Sequence, residues 1–350
     1  MEPQNGVNIV TQALSPHRPG QALPGQIAAR LAQAGLAWRR LRWQTASALF
    51  PEQTARAFER AWFGVPEANV DAAGQAFLAG ARADWALVTG GGATRRVRVY
   101  RWHGEGPAVL LAHGWGGNAA HWQALVPALL AAGHRVVAFD ALSHGASDAG
   151  ALGPGQSSLI EMSRALLAAA WHAGPIHAVI AHSLGGAAAA LALREGLPVD
   201  AAVLIGAPAD MRHASATLAW QLGVAPAVLA RVQRNSEQWL GMPWGAFNVP
   251  DIGRCRPVPP TLVIHDRHDK EVRWEDGAAI AGAWPAATLL TTEGLGHRRI
   301  LRDAGVMDQI VGFLAQRLAP RGASRTAVPV PHAERPERSA LRAGDLGMVR

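Results

Sequence analysis

The stretch IHAVIAHSLGGAAAALALRE (176–195) places a serine where an apolar run gives way at once to an alanine-rich helix. A strand–turn–helix junction of this kind is the setting of a nucleophile elbow, with Ala181 standing where the G-x-S-x-G pattern has its first glycine. The turn is tight and neighbouring backbone comes close, so the positions two before and two after the serine must be small. Ala181 and Gly185 meet that need, and Gly186 with Ala187 let the helix pack closely. The helix start behind Ser183 offers N–H groups and positive dipole to a developing oxyanion. The bland alternative is a serine that N-caps an ordinary helix. In VLLAHGWGGNAAHW (109–122) a strand ends at His113-Gly114, and Trp115, Gly116 and Gly117 follow. Glycines there let main chain approach a substrate, so the Trp115 N–H is expected to join the Leu184 N–H as an oxyanion hole. His113 is a base by type, but a histidine held at a strand end more often bonds backbone.

A serine hydroxyl at neutral pH needs a base, and the base needs an orienting acid. In TLVIHDRHDKEVRW (261–274) a strand ends near His265, and Asp266 and Asp269 follow it. In TLLTTEGLGHRRIL (288–301) another strand ends, and His297 follows a Gly-Leu-Gly turn just before the last helix. The order is Ser…Asp…His. Asp269, a few residues beyond the strand end, is the better acid; Asp266 reads as a turn residue and Asp210 remains a third candidate. The cluster His265, Asp266, His268 and Asp269 has a rival reading as metal ligands. No second cluster completes such a set, so neither a metal nor a cofactor is expected.

The elements that must position these residues are legible as short apolar runs. ADWALVTG and RRVRVYRW flank GGGAT and predict a hairpin. A strand, not a helix, follows those glycines, so a phosphate-loop reading fails. AVLLAHG, HRVVAFD, IHAVIAHS, AAVLIGA, TLVIHD and ATLLTTEG are then separated by helix-length segments. Continuous apolar runs suit parallel strands buried on both faces, which predicts a mostly parallel, doubly wound α/β sheet opened by a hairpin. Trp122, Leu125, Val126, Leu129 and Leu130 predict a helix over 119–132, and Ile310, Val311, Phe313, Leu314 and Leu318 predict the last one. Residues 208–258 are too long for a simple crossover and read as a helical lid, its aromatics divided between lid core and pocket wall. Upstream, Ile27, Leu31, Ala34, Trp38 and Leu41 form a narrow stripe flanked by Arg39, Arg40 and Arg42. That stripe is expected to pack on the main domain rather than on a membrane surface. Further helices are expected at 51–62 and about 68–80.

HGWGG, AHSLGG, HDRHDKEV and GLGH, in this order and spacing, resemble the α/β-hydrolase superfamily over about residues 84–318, as a serine esterase- or lipase-like member. The resemblance implies Ser183 as nucleophile, Asp269 as acid, His297 as base, and Trp115 and Leu184 as oxyanion donors. FDALSHGASD (139–148) is similar to a structural turn of the family, which leaves His144, Ser147 and Asp148 outside the chemistry. Ala181 departs from the usual glycine, and His268 stands where an acidic or small residue is common. The implied activity is hydrolysis of a small or medium carboxylic ester through an acyl-enzyme. Alternatives are a cofactor-free perhydrolase or haloperoxidase-like enzyme with the same triad, and an idle hydrolase-fold binding protein. Serine at the elbow disfavours haloalkane dehalogenation, for which relatives carry Asp there.

Composition bounds the rest. With 49% hydrophobic and 17% charged residues in 350, the chain is globular in balance. Its net charge of +7 sits on the ends: residues 1–60 hold seven Arg against three Glu, residues 319–350 six Arg against three acids, and 61–318 are neutral. No nucleic-acid partner is therefore expected. The single cysteine, Cys255, excludes a disulfide framework or multi-cysteine metal cluster. No secretory signal or spanning segment is read, so a cytoplasmic protein without stable membrane insertion is expected, acting on a small-molecule ester, its oligomeric state unspecified. The expected organisation is a disordered 1–24, a helical segment 25–82 packed on the domain, a hydrolase domain 83–318 with its lid at about 208–258, and a disordered basic tail 319–350.

Overall fold

The computed structural model describes residues 24–90 and 92–318, with side chains from residue 35 onward. The ends read as disordered, 1–24 and 319–350, lie outside the described residues apart from Pro24. Three helices lead: α1 (Pro24–Leu49), α2 (Pro51–Phe63) and α3 (Ala72–Ala79), the last capped by Asp71 accepting the Gly74 N–H at 2.7 Å. The hairpin β1 (Arg82–Gly90) and β2 (Ala93–Trp102) follows. The chain then alternates: β3 (Ala108–Ala112), α4 (Leu125–Ala131), β4 (Arg135–Phe139), α5 (Leu159–Ala173), β5 (Ala178–His182), α6 (Leu184–Arg194) and β6 (Ala201–Ile205). Helices α7 (Met211–Leu222), α8 (Pro226–Leu240) and α9 (Val249–Cys255) separate β6 from β7 (Thr261–Asp266). The chain closes with α10 (Trp274–Ala283), β8 (Ala287–Thr292), the short α11 (Gly296–Arg299) and α12 (Ala304–Leu318).

The eight strands form one sheet in the order β1-β2-β4-β3-β5-β6-β7-β8. β1, β2 and β4 pair antiparallel and the remainder parallel. The order reverses at β3, as right-handed crossovers onto both faces of a sheet require. Every residue of β3, β5, β6 and β7 is buried, which is why these strands read as unbroken apolar runs rather than alternations. Alternation survives in where the side chains go. Leu110 and Ala112 join the core under α5, α6 and α10, whereas Val109 and Leu111 join the opposite core under α4 and α12. Asp71, Ser158 and Asp210 cap the starts of α3, α5 and α7 with side-chain acceptors, satisfying N–H groups that have no intrahelical partner.

Three expectations are corrected. The stripe on α1 does not face the domain where side chains are described: Trp38 and Leu41 are 61% and 58% exposed. The face that packs instead carries Trp43, edge-on to Phe58 at 6.4 Å, and buried Ser47, whose Oγ accepts the Ala225 N–H. Two arginines of this helix lay their guanidinium groups over aromatic rings, Arg40 on Trp220 and Arg42 on Trp38, so polarity did not mark the outer face. The helix expected over 119–132 is a 3₁₀ turn (Ala119–Trp122) followed by α4; Asn118 caps the start of the turn by accepting the Ala120 N–H. Between β6 and β7, Trp220 and Trp239 face solvent, while Trp244 and Phe247 are buried. Among the described residues no helix is long and apolar enough to cross a membrane.

Candidate active site

Ser183 follows β5 directly and is one of two non-glycine residues with positive φ among those described, at φ 54°, ψ −131°. A serine held there carries strain of about 1–3 kcal/mol, offset by what surrounds it. Its N–H donates to Ile205 O of β6 at 2.8 Å and its carbonyl accepts the Gly186 N–H at 2.8 Å. The close approach foreseen at Gly185 is real: a Cβ there would run into the His113 carbonyl and lie 2.7 Å from Ala112 O. One at Gly186 would lie 2.5 Å from Ala207 Cβ. The elbow is thus wedged between the ends of β3 and β6. The Ser183 hydroxyl makes no hydrogen bond among the described residues and lines a cavity of about 380 Å³.

Trp115 and Leu184 line the same cavity, and neither backbone N–H has an acceptor among the described residues. Two free donors flanking a hydroxyl are what an oxyanion would bind. The loop that presents Trp115 is held by His113, whose Nδ1–H donates to Gly114 O at 2.7 Å while Nε2 accepts the Ala141 N–H at 2.9 Å. Both ring nitrogens are committed to backbone, and burial holds His113 well below the usual histidine range, so it is a neutral brace. Burial also lowers His144, whose Nδ1–H donates to Leu142 O. Ser147 bonds Asp140 O and the Arg98 N–H, and Asp148 takes the Arg96 guanidinium and N–H. That loop is architecture.

At the far edge, His297 Nδ1 donates to Asp269 Oδ2 at 2.6 Å, and both side chains are buried. The other Asp269 oxygen accepts the N–H groups of Glu271 and Val272 at 2.8 and 3.0 Å. Burial pushes the Asp269 carboxyl up, but the His297 bond and these amides outweigh it and hold it below the ordinary carboxylate range. Asp266 faces elsewhere: it accepts from the His268 and Leu295 N–H groups and the Thr292 hydroxyl, binding the loops after β7 and β8 together. Asp210 caps α7 and pairs with Arg212. Of the three carboxylates, only Asp269 is bonded to His297. In the HDRHD cluster, His265 lies 3.6 Å from Asp269 but donates Nε2–H to Val272 O. Among the described residues no group of three His, Cys, Asp or Glu is arranged to hold a metal ion.

One residue of this site was not foreseen. His182, immediately before the serine, donates Nε2–H to the His297 carbonyl at 2.8 Å, with ring centroids 4.6 Å apart. Burial, then the neighbouring His297, pushes its pKa down to about 3, so it is a neutral donor at working pH. It ties the loop carrying His297 to the elbow across 115 residues of sequence. Its adjacency to Ser183 was the available signal; its bond partner was not.

The sheet carries the serine elbow and the Leu184 amide after β5, the Trp115 amide after β3, and a His–Asp pair after β8 and β7, and a family model described as the alpha/beta hydrolase fold matches residues 107–238. The chain has the α/β-hydrolase fold. It is 43% identical over 114 residues to a protein named carbamate hydrolase RutD from Variovorax paradoxus (strain S110), a match spanning 31% of this chain and 41% of that one. It is 43% identical over 119 residues to a protein named esterase PIR7A from Oryza sativa subsp. indica, spanning 32% and 44%. The chain therefore matches under half the length of these curated relatives. Among solved structures, Rv0554 from Mycobacterium tuberculosis shares 22% identity at a TM-score of 0.52, covering 67% of this chain and 99% of that one, a likeness of fold. The span matched by the family model holds Trp115, Ser183 and Leu184 and ends before Asp269 and His297.

Proposed function

We propose that this α/β hydrolase is a serine esterase that cleaves a carboxylic ester through an acyl-enzyme. Ser183 Oγ attacks the ester carbonyl carbon while His297 Nε2 takes its proton, and Asp269 holds the opposite nitrogen as Nδ1–H and steadies the imidazolium. The carbonyl π electrons move onto oxygen, and the Trp115 and Leu184 N–H groups receive that oxyanion. Collapse breaks the bond to the alkoxy oxygen, which leaves as the alcohol with the proton from His297. Water, deprotonated by His297, then attacks the acyl-serine; Ser183 departs with that proton and the acid is released. The nucleophile–base contact forms with substrate bound, since such contacts are commonly loose in the free enzyme. The observation that carries this reading is the buried 2.6 Å His297–Asp269 bond, beyond the same carboxyl ends of the parallel strands as the strained serine.

A fluorophosphonate probe tests it, because an activated serine attacks phosphorus as it attacks a carbonyl. The parent protein should be labelled, and Ser183→Ala should lose both the label and p-nitrophenyl ester turnover, the latter by about 10⁶-fold as for other triad nucleophiles. Labelling that persists in Ser183→Ala places the nucleophile elsewhere, and no labelling in the parent sinks the enzyme reading.

A further inference from the structure

The cavity around Ser183 has a wall that lies outside the family-matched span of the sequence. Trp62, Phe63, Gly64 and Pro66 line it from the N-terminal side, facing Trp244 and Leu240. This wall is stitched in place rather than resting on the surface. Trp115 Nε1–H donates to Gly64 O at 2.9 Å, so the residue offering a free amide beside Ser183 is itself held by the N-terminal segment. The Ser157 N–H donates to Phe63 O and the Val65 N–H to Gly155 O, at 3.0 and 2.8 Å. The Trp62 ring packs on Trp244 at 5.6 Å, tilted by 36°.

The chemistry of the lining is one-sided. Among the described residues no charged side chain and no histidine lines the cavity, and the polar side chains that do are Ser158 and Ser183, apart from the indoles. Ser158 is engaged as the cap of α5, which leaves the Ser183 hydroxyl. A charged substituent would lose its hydration there and gain no partner. About 380 Å³ is well above the roughly 150 Å³ void that takes up benzene, so a group larger than one ring is accommodated.

We propose that residues 61–66 are a specificity-determining wall, and that the cavity takes an uncharged ester whose acyl part is an apolar chain or ring lying against the Trp62–Trp244 pair. The ester chemistry rests on the serine-esterase reading above; the apolar binding does not. In the parent protein, kcat/KM for p-nitrophenyl octanoate should exceed that for the acetate by about tenfold or more, and the p-nitrophenyl hemisuccinate should be poorer than either. Ala61→Trp adds bulk from an exposed position on α2 that lines the cavity, so folding is spared. It should lower the octanoate-to-acetate ratio about tenfold, and Trp62→Ala should lower it too. Trp171→Ala, on an exposed part of α5 remote from the lining, should leave the ratio alone. A ratio unmoved by both Ala61→Trp and Trp62→Ala overturns the proposal, as does a hemisuccinate cleaved as well as the octanoate. If no ester is turned over, methyl octanoate binding to Ser183→Ala, followed by saturation-transfer NMR, separates the two readings. Binding that Ala61→Trp abolishes upholds the apolar site while the esterase reading fails; binding that is absent, or indifferent to Ala61→Trp, overturns the site.

Discussion

Asp269 and Asp266 lie three residues apart, and their hydrogen bonds give them different work. Asp269 spends one oxygen on His297 and the other on two amides, whereas Asp266 spends both on the loops after β7 and β8. Asp269→Asn should therefore reduce ester turnover by up to about 10⁴-fold, because the amide favours the wrong imidazole tautomer. Asp266→Asn should act mainly on stability; kinetics in which Asp266→Asn collapses and Asp269→Asn stays near parental would reverse the assignment. The Asp269 pKa also predicts a pH dependence. Burial raises it, but the His297 bond and the Val272 and Glu271 amides bring it net below its ordinary value. A carboxyl lowered on folding contributes stability that is complete above the unfolded value of about 3.9 and is lost as pH falls through the folded value. Urea unfolding of the parent and Asp269→Asn should differ most at neutral pH and converge in acid; a gap that widens on acidification contradicts this.

At the scale of elements, the elbow depends on contacts that permit no side chain. Gly185 sits against the backbone carbonyls at the end of β3, and backbone cannot move aside as a flexible side chain can. Gly185→Ala should cost about 1–3 kcal/mol or more by overpacking, lowering the thermal midpoint by roughly 2–4 °C per kcal/mol. Gly312, inside α12, has open space where a Cβ would stand. Gly312→Ala should instead gain up to about 1 kcal/mol from helix propensity. Calorimetry on the two variants checks both signs, and equal shifts would show that the contacts at Gly185 yield. Strands β3 to β7 were legible in the sequence because each buried run is apolar, short and bounded by turn residues, and the hairpin strands because they alternate on either side of a glycine-rich turn. The facing of α1 was not, because its aromatic and basic residues are spread around the helix and only contact with α2 and the α7–α8 region chooses the inner side.

For the whole molecule, the N-terminal helices are part of one packed body. Phe58 of α2 is wholly buried in a core it shares with Ala219, Val224, Val228 and Val232 of the α7–α8 region, and Trp43 and Ser47 extend that contact to α1. Deleting residues 1–50 should lower the thermal midpoint by several degrees while α2 keeps its place. Deleting 319–350, a stretch without apolar periodicity, should leave the midpoint nearly unchanged. Thermal melts of the two truncations decide it; a C-terminal deletion that destabilises as much as the N-terminal one would mean that the basic tail also packs.

The sequence alone determined the strand order along the chain, the small residues around Ser183, and the residue types available as base, acid and oxyanion donors. Each of these follows from local rules: burial on both faces selects apolar runs, and a tight turn selects small neighbours. Only the tertiary structure decided which carboxylate reaches His297, that His182 bonds the His297 carbonyl, and that Trp62 and Pro66 wall the cavity. Those outcomes join segments far apart in the chain, 115 residues for His182 and His297 and further still for Trp62 and Trp244, and no local periodicity encodes a distance between side chains that meet only when the sheet is assembled.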